Sequence, residues 1–264
     1  MLKEKFDLGR SLAVSRGGLH ERVTNEIGLR IVRGDLEPGQ VLPNESELGT
    51  QLGVGRSVMR EAIKVLASKG FVASRPKIGT TVQPRSNWNL LDADVLSWRA
   101  RVEVSPDFVR DLTDLRSIIE PAAAERAATR ATAAQIERLE YWYARMEVTI
   151  GDTEAFIDAD MAFHSEILNA CHNEMLSQVA VTIHAGLVIS RRITTRLPNS
   201  SIASLPLHRA VIDAIRARDG LAASEAMRRL IARTEQDIRD VLGAEAAALQ
   251  SKPPPKKASK RARI

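Results

Sequence analysis

Only one cysteine, Cys171, occurs in the 264-residue chain, so an intrachain disulfide is impossible. No apolar run approaches the length of a membrane span, because an Arg or a Glu breaks every long candidate. The N-terminus lacks the compact apolar stretch of a signal peptide. Together these gaps predict a cytoplasmic protein with no membrane partner. From about Asp107 onward strand signals are missing, which leaves helices as the regular structure expected there. No activated nucleophile or separate general base stands beside Asp160 and His164, a carboxylate and an imidazole one helix turn apart that suit a metal. That deficit argues against the rival reading, a metal-dependent hydrolase. The apolar fraction, 44%, is ordinary for a soluble protein, and the length suffices for two domains.

What is present is densest in residues 34–82. Pro38-Gly39 is a turn dipeptide. Asn44 is suited to cap a helix, with Glu47 three residues on completing a capping-box pair. Leu48 and Leu52 then share a face, and Gly53 permits a left-handed residue at the helix end. Gly55 opens a second helix, expected from about Arg56 to Lys69, with an apolar stripe of Met59, Ala62, Ile63 and Leu66. Arg56, Ser57, Arg60 and Lys64 fall on its other side. A helix entering the major groove reads bases mainly with its N-terminal residues, and arginine there grips guanine or phosphate. After Gly70, alternating residues Val72, Ser74, Thr80 and Val82 predict a small hairpin with Arg75, Lys77 and Gly79 at its tip, placed for the DNA backbone or minor groove. This order of elements describes a winged helix-turn-helix.

The segment from about Leu19 to Val82 resembles the GntR family of bacterial transcription regulators. The matching pieces are the entry G-x-L-x-P-G-x-x-L-P-x-E-x-E-L at Gly34–Leu48, the recognition helix V-x-R-x-x-x-R-E-A at Val54–Ala62, and the wing end G-T-x-V at Gly79–Val82. One departure is visible: the family usually carries serine where this chain has Gly55, a poorer helix cap. The resemblance implies a homodimer whose two recognition helices read the halves of an operator palindrome in double-stranded DNA.

Charge is unevenly spread. Residues 1–85 hold 14 Lys and Arg against 9 Asp and Glu, residues 86–243 hold 18 against 23, and residues 244–264 hold 6 against 1. The basic surplus sits on the DNA-binding segment and the end of the chain, while the acidic middle does not suit a second DNA-binding module. Residues 244–264, with Pro253-Pro254-Pro255 and no apolar periodicity, read as a disordered basic tail, either solubilising or touching DNA nonspecifically. Residues 1–18 read as an N-terminal extension. Between the two bodies, residues 85–106 read as a linker with a connecting helix in which Leu91, Val95 and Trp98 share a face. Trp88 and Trp98 so close together suggest docking on a neighbour.

Residues 107–243 read as an all-α bundle, with helices expected near 107–130, 133–149, 153–170, 173–197, 203–218 and 220–242. Asp107, Asp152 and Asn173 serve as start signals. The bundle resembles the FCD ligand-sensing domain of the FadR-type branch of the same family. Leu115-Arg116 with Glu120-Pro121, Asp160-x-x-Phe163-His164, Asn173, His208-Arg209 with Ala214-Ile215, Asp219 and Ala226-Met227 carry that likeness. The linker W-N-x-L-D-x-D-V-L-x-W is similar to that of galactonate-responsive repressors in this branch.

Asp160 and His164, four residues apart, project from one helix face, and a carboxylate with an imidazole suits a divalent cation such as zinc. By itself such a pair is more often an ion pair than a metal site. The resemblance adds His208 as a third ligand and places a fourth at position 230, where this chain has Leu230. It implies an effector pocket lined by Arg116, Asp160, His164 and His208, with metal on the last three. Arg116 suits an effector carboxylate, or else pairs with Glu120 four residues on. Arg191, Arg192 and Arg196 form a basic cluster that either widens an anion pocket or faces solvent. His184 has no evident partner, and Tyr141, Trp142 and Tyr143 read as packing residues. The expected function is a ligand-responsive repressor of a sugar-acid or other carboxylate operon, released by an effector such as galactonate. The remaining rival is a constitutive DNA-binding protein.

Overall fold

The computed structural model describes residues 18–102 and 105–250. The winged helix opens with α1 (Leu19–Arg33), α2 (Glu45–Leu52) and α3 (Arg56–Ser68). The wing is β1 (Val72–Arg75) paired antiparallel with β2 (Gly79–Val82), Val72 opposite Val82 and Arg75 opposite Gly79. A single 3-10 turn (Arg85–Asn87) leads to the connecting helix α4 (Ala93–Val102). Six helices follow: α5 (Pro106–Arg130), α6 (Ala133–Val148), α7 (Thr153–Ala170), α8 (Glu174–Thr194), α9 (Ser200–Arg216) and α10 (Gly220–Gln250).

Local chemistry accounts for the boundaries. Asn44 accepts hydrogen bonds from the backbone of Ser46 and Glu47, and the Glu47 carboxylate accepts one from the Asn44 backbone, the reciprocal box expected there. Asp152 and Asn173 cap α7 and α8 with their side chains. The start of α5 differs: Ser105 is the cap and Pro106 the first helical residue, a favoured position for proline, so Asp107 lies inside the first turn. Helix α9 begins at Ser200, three residues before the expected start, behind the left-handed Asn199. Helix α10 runs to Gln250, so residues 244–250 are helical and not part of a tail. The alanine-rich stretch after Gly243 has high helix propensity, and one interior glycine costs only about 1 kcal/mol. The rest of the tail and residues 1–17 lie outside the described residues.

Two cores meet on α4. Val95 and Trp98 pack into the winged-helix core with Ile27, Met59, Leu66 and Phe71. Leu96 and Ala100, on the opposite face, join Phe108, Leu112, Ile189, Ile193 and Ile238 of the bundle. Both tryptophans dock on Phe71: Trp88 stacks at 4.3 Å and Trp98 meets it edge-on at 5.2 Å. The Trp98 indole donates to Asn25 Oδ1 at 2.8 Å, and its ring lies so near Gly28 that a Cβ there would come within 2.6 Å. Leu91 departs from the expected shared face. It precedes α4 and is 61% exposed, because the helix starts two residues later than the periodicity suggested. The bundle's own core is built by α5 to α10 around Phe156, Phe163, Leu139, Met227 and Leu230.

Candidate functional site

Arg56, Ser57, Arg60 and Lys64 are all exposed along α3, while Met59, Ala62 and Leu66 on its other side are fully buried. Amphipathicity fixes this orientation: sinking the apolar stripe leaves the basic side outward. Arg75, Lys77 and Gly79 are exposed at the hairpin tip, where Lys77 and Gly79 take positive φ. The pairs around α3 are weak and solvated. Arg56 lies 3.6 Å from Glu45, and Lys64 bonds Glu61 at 3.0 Å, holding that carboxyl below its usual value. Gly55 caps α3 without a side chain, as its composition requires.

The second site is a buried ionic chamber where α5, α7, α8 and α9 meet. Asp160 and His208 are fully buried and His164 is 1% exposed, with one ligating atom from each lying within 4.8 Å of the others. The imidazoles are oriented from behind. His208 Nδ1 sits 2.8 Å from the Ser204 carbonyl, which only accepts, so Nδ1–H donates there and Nε2 points into the chamber. His164 Nδ1 sits 2.6 Å from Glu120 Oε2, which places its Nε2 inward as well. His164 Nε2 and Asp160 Oδ2 face each other at 4.0 Å, and neither has a hydrogen-bond partner. Ligand atoms on one tetrahedral zinc stand roughly 3.3 Å apart at ordinary bond lengths, so these donors fit a divalent cation after a small contraction. Leu230, at the position where a fourth ligand was expected, is a buried core side chain with no atom a cation can use. Phe163 forms an apolar wall edge-on to His208, 5.1 Å between centroids.

The arginines complete the chamber. Arg116 Nε donates to Glu120 Oε1 at 2.6 Å, both residues at 1% exposure, and its Nη1 reaches Ser190 at 3.5 Å. The ion-pair alternative for Arg116 is therefore what the fold adopts. Glu120 links Arg116 to His164; burial alone would raise its carboxyl, but Arg116 and His164 outweigh that and bring it to about 2. Arg191 is 3% exposed, which corrects the solvated-face reading of that cluster: its Nη2 donates to Asp160 Oδ1 at 2.5 Å. Burial again opposes ionisation of Asp160, and Arg191, His208 and His164 hold its carboxyl well below the carboxylate range. Burial, aided by Arg191, pushes His208 below the usual imidazole value against the pull of Asp160. Arg192 turns outward to Glu154, and Arg196 is exposed. Glu120 had a sequence signal, the four-residue spacing from Arg116. Arg191 stood in the basic cluster, but its pairing with Asp160 had no signal, because the fold alone brings α8 against that residue, 31 positions earlier.

Outside the chamber, His184 is half-buried and held below its usual value by burial. Tyr143 is buried beneath the Arg209 guanidinium at 4.0 Å, Trp142 packs partly on the bundle core, and Tyr141 is exposed. Among the described residues, no helix is long and apolar enough to cross a membrane.

A winged helix with an exposed basic helix face, backed by a helical bundle, is the architecture of a DNA-binding transcription regulator. Residues 19–82 match the model for bacterial regulatory proteins of the gntR family, and residues 111–233 match the FCD domain. The uncharacterized HTH-type transcriptional regulator YieP of Escherichia coli K12 is 37% identical over 79% of this chain and 90% of its own. The galactonate operon transcriptional repressor of the same organism is 32% identical over 84% of this chain and 97% of its own. In fold, the chain is similar to Lar, which controls expression of the Listeria monocytogenes agr system, with a TM-score of 0.59 at 21% identity, covering 84% of this chain and 98% of that one. The chain belongs to the GntR family, in the branch that carries an FCD domain.

Proposed function

We propose that the chain is a cytoplasmic, homodimeric repressor of a sugar-acid or other carboxylate catabolic operon, released when effector enters the bundle. Residues 19–84 form the DNA-binding domain and residues 85–106 the linker, with the sensing domain from residue 107. Arg56, Ser57, Arg60 and Lys64 meet the major groove, and Arg75, Lys77 and Gly79 meet the backbone or minor groove beside it. The observation that carries the reading is the chamber itself: Arg116, Asp160, His164 and His208 gathered in the middle of an otherwise apolar bundle. Such charge is costly to bury and is a usual mark of a binding site. A divalent cation such as zinc, held by Asp160, His164 and His208, would supply a Lewis-acid point for an effector carboxylate or hydroxyl. Arg116, already bonded to Glu120 through Nε, turns its terminal nitrogens to the effector's carboxylate.

The route to the DNA runs along α8. Ser190 and Arg191 face the chamber, while Ile189 and Ile193 on the same helix pack with Leu96 and Ala100 of α4. Helix α4 carries Val95 and Trp98 into the winged-helix core. A ligand that favours one position of α8 therefore biases the angle of the winged helix, and with it the spacing of two recognition helices in a dimer. This requires a difference in ligand affinity between the DNA-competent and incompetent states. The relative named for the galactonate operon makes galactonate the first effector to try. In a gel shift with DNA from upstream of the chain's own gene, saturating galactonate is expected to release the protein. Unchanged operator affinity removes that effector, and the same result across a panel of sugar acids favours a constitutive DNA-binding protein.

A further inference from the structure

Two of the ligand residues meet in the chamber, His208 Nε2 lying 3.0 Å from Asp160 Oδ1. Arg191 stands against both: one nitrogen, Nη2, lies 2.5 Å from Asp160 Oδ1 and 3.4 Å from His208 Nε2. The rest of the guanidinium is poorly served. Its Nε is buried without a hydrogen-bond partner, and the nearest aromatic face, Phe156, is 5.8 Å away.

We infer that Arg191 is a resident cation, occupying in the metal-free protein the face of Asp160 and His208 that a divalent cation needs, so that metal enters only by displacing its guanidinium. The inference rests on the reading of Asp160, His164 and His208 as the cation site. Arg191 Nη2 stands against an oxygen of Asp160 and the inward nitrogen of His208, two of the three ligand residues, and two cations held that close repel strongly where protein excludes water. The half-satisfied guanidinium is the arrangement expected of a group that must leave. It also makes the chamber less avid for metal than its three ligands alone would be, and gives it a metal-free state with its charge balanced.

Titrating tag-free, metal-stripped full-length protein with Zn2+ by calorimetry tests this, with thermal melting in parallel. Arg191→Gln is expected to bind one Zn2+ per chain about tenfold tighter than the wild type, since no competing cation remains. Without metal it is expected to melt below the wild type, and saturating Zn2+ is expected to raise its melting temperature by more than it raises that of the wild type. If Arg191→Gln does not fold without metal, Arg191→Lys serves: its shorter side chain holds the charge farther from Asp160 and His208, and a smaller gain in zinc affinity is expected. Equal affinity in wild type and Arg191 variants, with binding lost in His164→Ala, overturns the inference and leaves the cation site standing. No Zn2+ binding that His164→Ala abolishes, in any background, overturns the cation site and the inference with it.

Discussion

Gly55 is where the DNA-binding segment leaves the family's usual pattern, and the structure gives its cost a definite form. Its φ is −72°, an ordinary value, and a Cβ built there meets nothing within 4 Å. A serine hydroxyl would be free to cap α3, whose first turn now lacks a side-chain acceptor. Gly55→Ser is therefore expected to stabilise the winged helix by a few tenths of a kcal/mol and to tighten operator binding. Urea melts and gel shifts read the two effects; weaker binding with unchanged stability would mean that the open space at Gly55 is itself used against DNA. The exposed character of Arg56 and Arg60 was legible from one helix period, because an apolar stripe settles where the other side points. The surroundings of Arg116 were not. Whether its guanidinium met ligand or Glu120 depended on how deeply α5 sank into the bundle, and at 1% exposure the nearest anion takes it.

The connecting helix α4 and the end of the recognition helix α3 are tied by one lysine. Lys69, the residue capping the C-terminal end of α3, bonds both Asp92 oxygens at 2.8 Å and Asp94 at 2.8 Å. Asp92 also accepts from the backbone of Asp94 and Val95, so it starts α4 and holds α3 together. Burial tends to lower the Lys69 ammonium, but Asp92 and Asp94 more than compensate and raise it above the usual lysine value. A raised lysine stabilises fully below its unfolded value, near 10.5, and that stability is lost as pH rises through the higher folded value. Lys69→Met is therefore expected to cost roughly 1–2 kcal/mol, since Asp94 is half exposed and screened. In thermal melts the deficit should be the same from about pH 6 to about pH 9 and vanish only well above the ordinary lysine value. A deficit that changes across the neutral range would assign the clamp's strength to another group. Both tryptophans of the linker advertised a docking element, but the periodic placement of Leu91 misled. The helix begins only after Asp92, and a residue ahead of the cap has no helical face to share.

For the molecule as a whole, α4 belongs to two cores at once, and this has a consequence for unfolding. In a Trp142→Phe background, fluorescence reports Trp88 and Trp98 beside the winged helix, whereas far-UV circular dichroism reports mainly the bundle. The two urea transitions are expected to coincide, because neither core keeps its α4 contacts without the other. Leu96→Ala, which removes a 2%-exposed side chain from the bundle side of α4, should cost about 2–4 kcal/mol and separate the transitions. Separate transitions in the parent would show that the connecting helix does not couple the two bodies. The order of elements, most helix ends and the exposed basic side of α3 follow from local rules of capping, periodicity and charge, all of which act within a few residues. Asn44 with Glu47 and the stripe from Met59 to Leu66 needed nothing from the rest of the chain. The chamber needed all of it. Asp160 and His164 share one helix turn, but His208 arrives from α9 and Arg191 from α8, and no local rule aims those helices at one carboxylate. That arrangement is set by how the whole bundle buries its apolar faces, and it places a guanidinium against Asp160 and His208, a neighbour that neither the Asp160 and His164 spacing nor the family resemblance supplied.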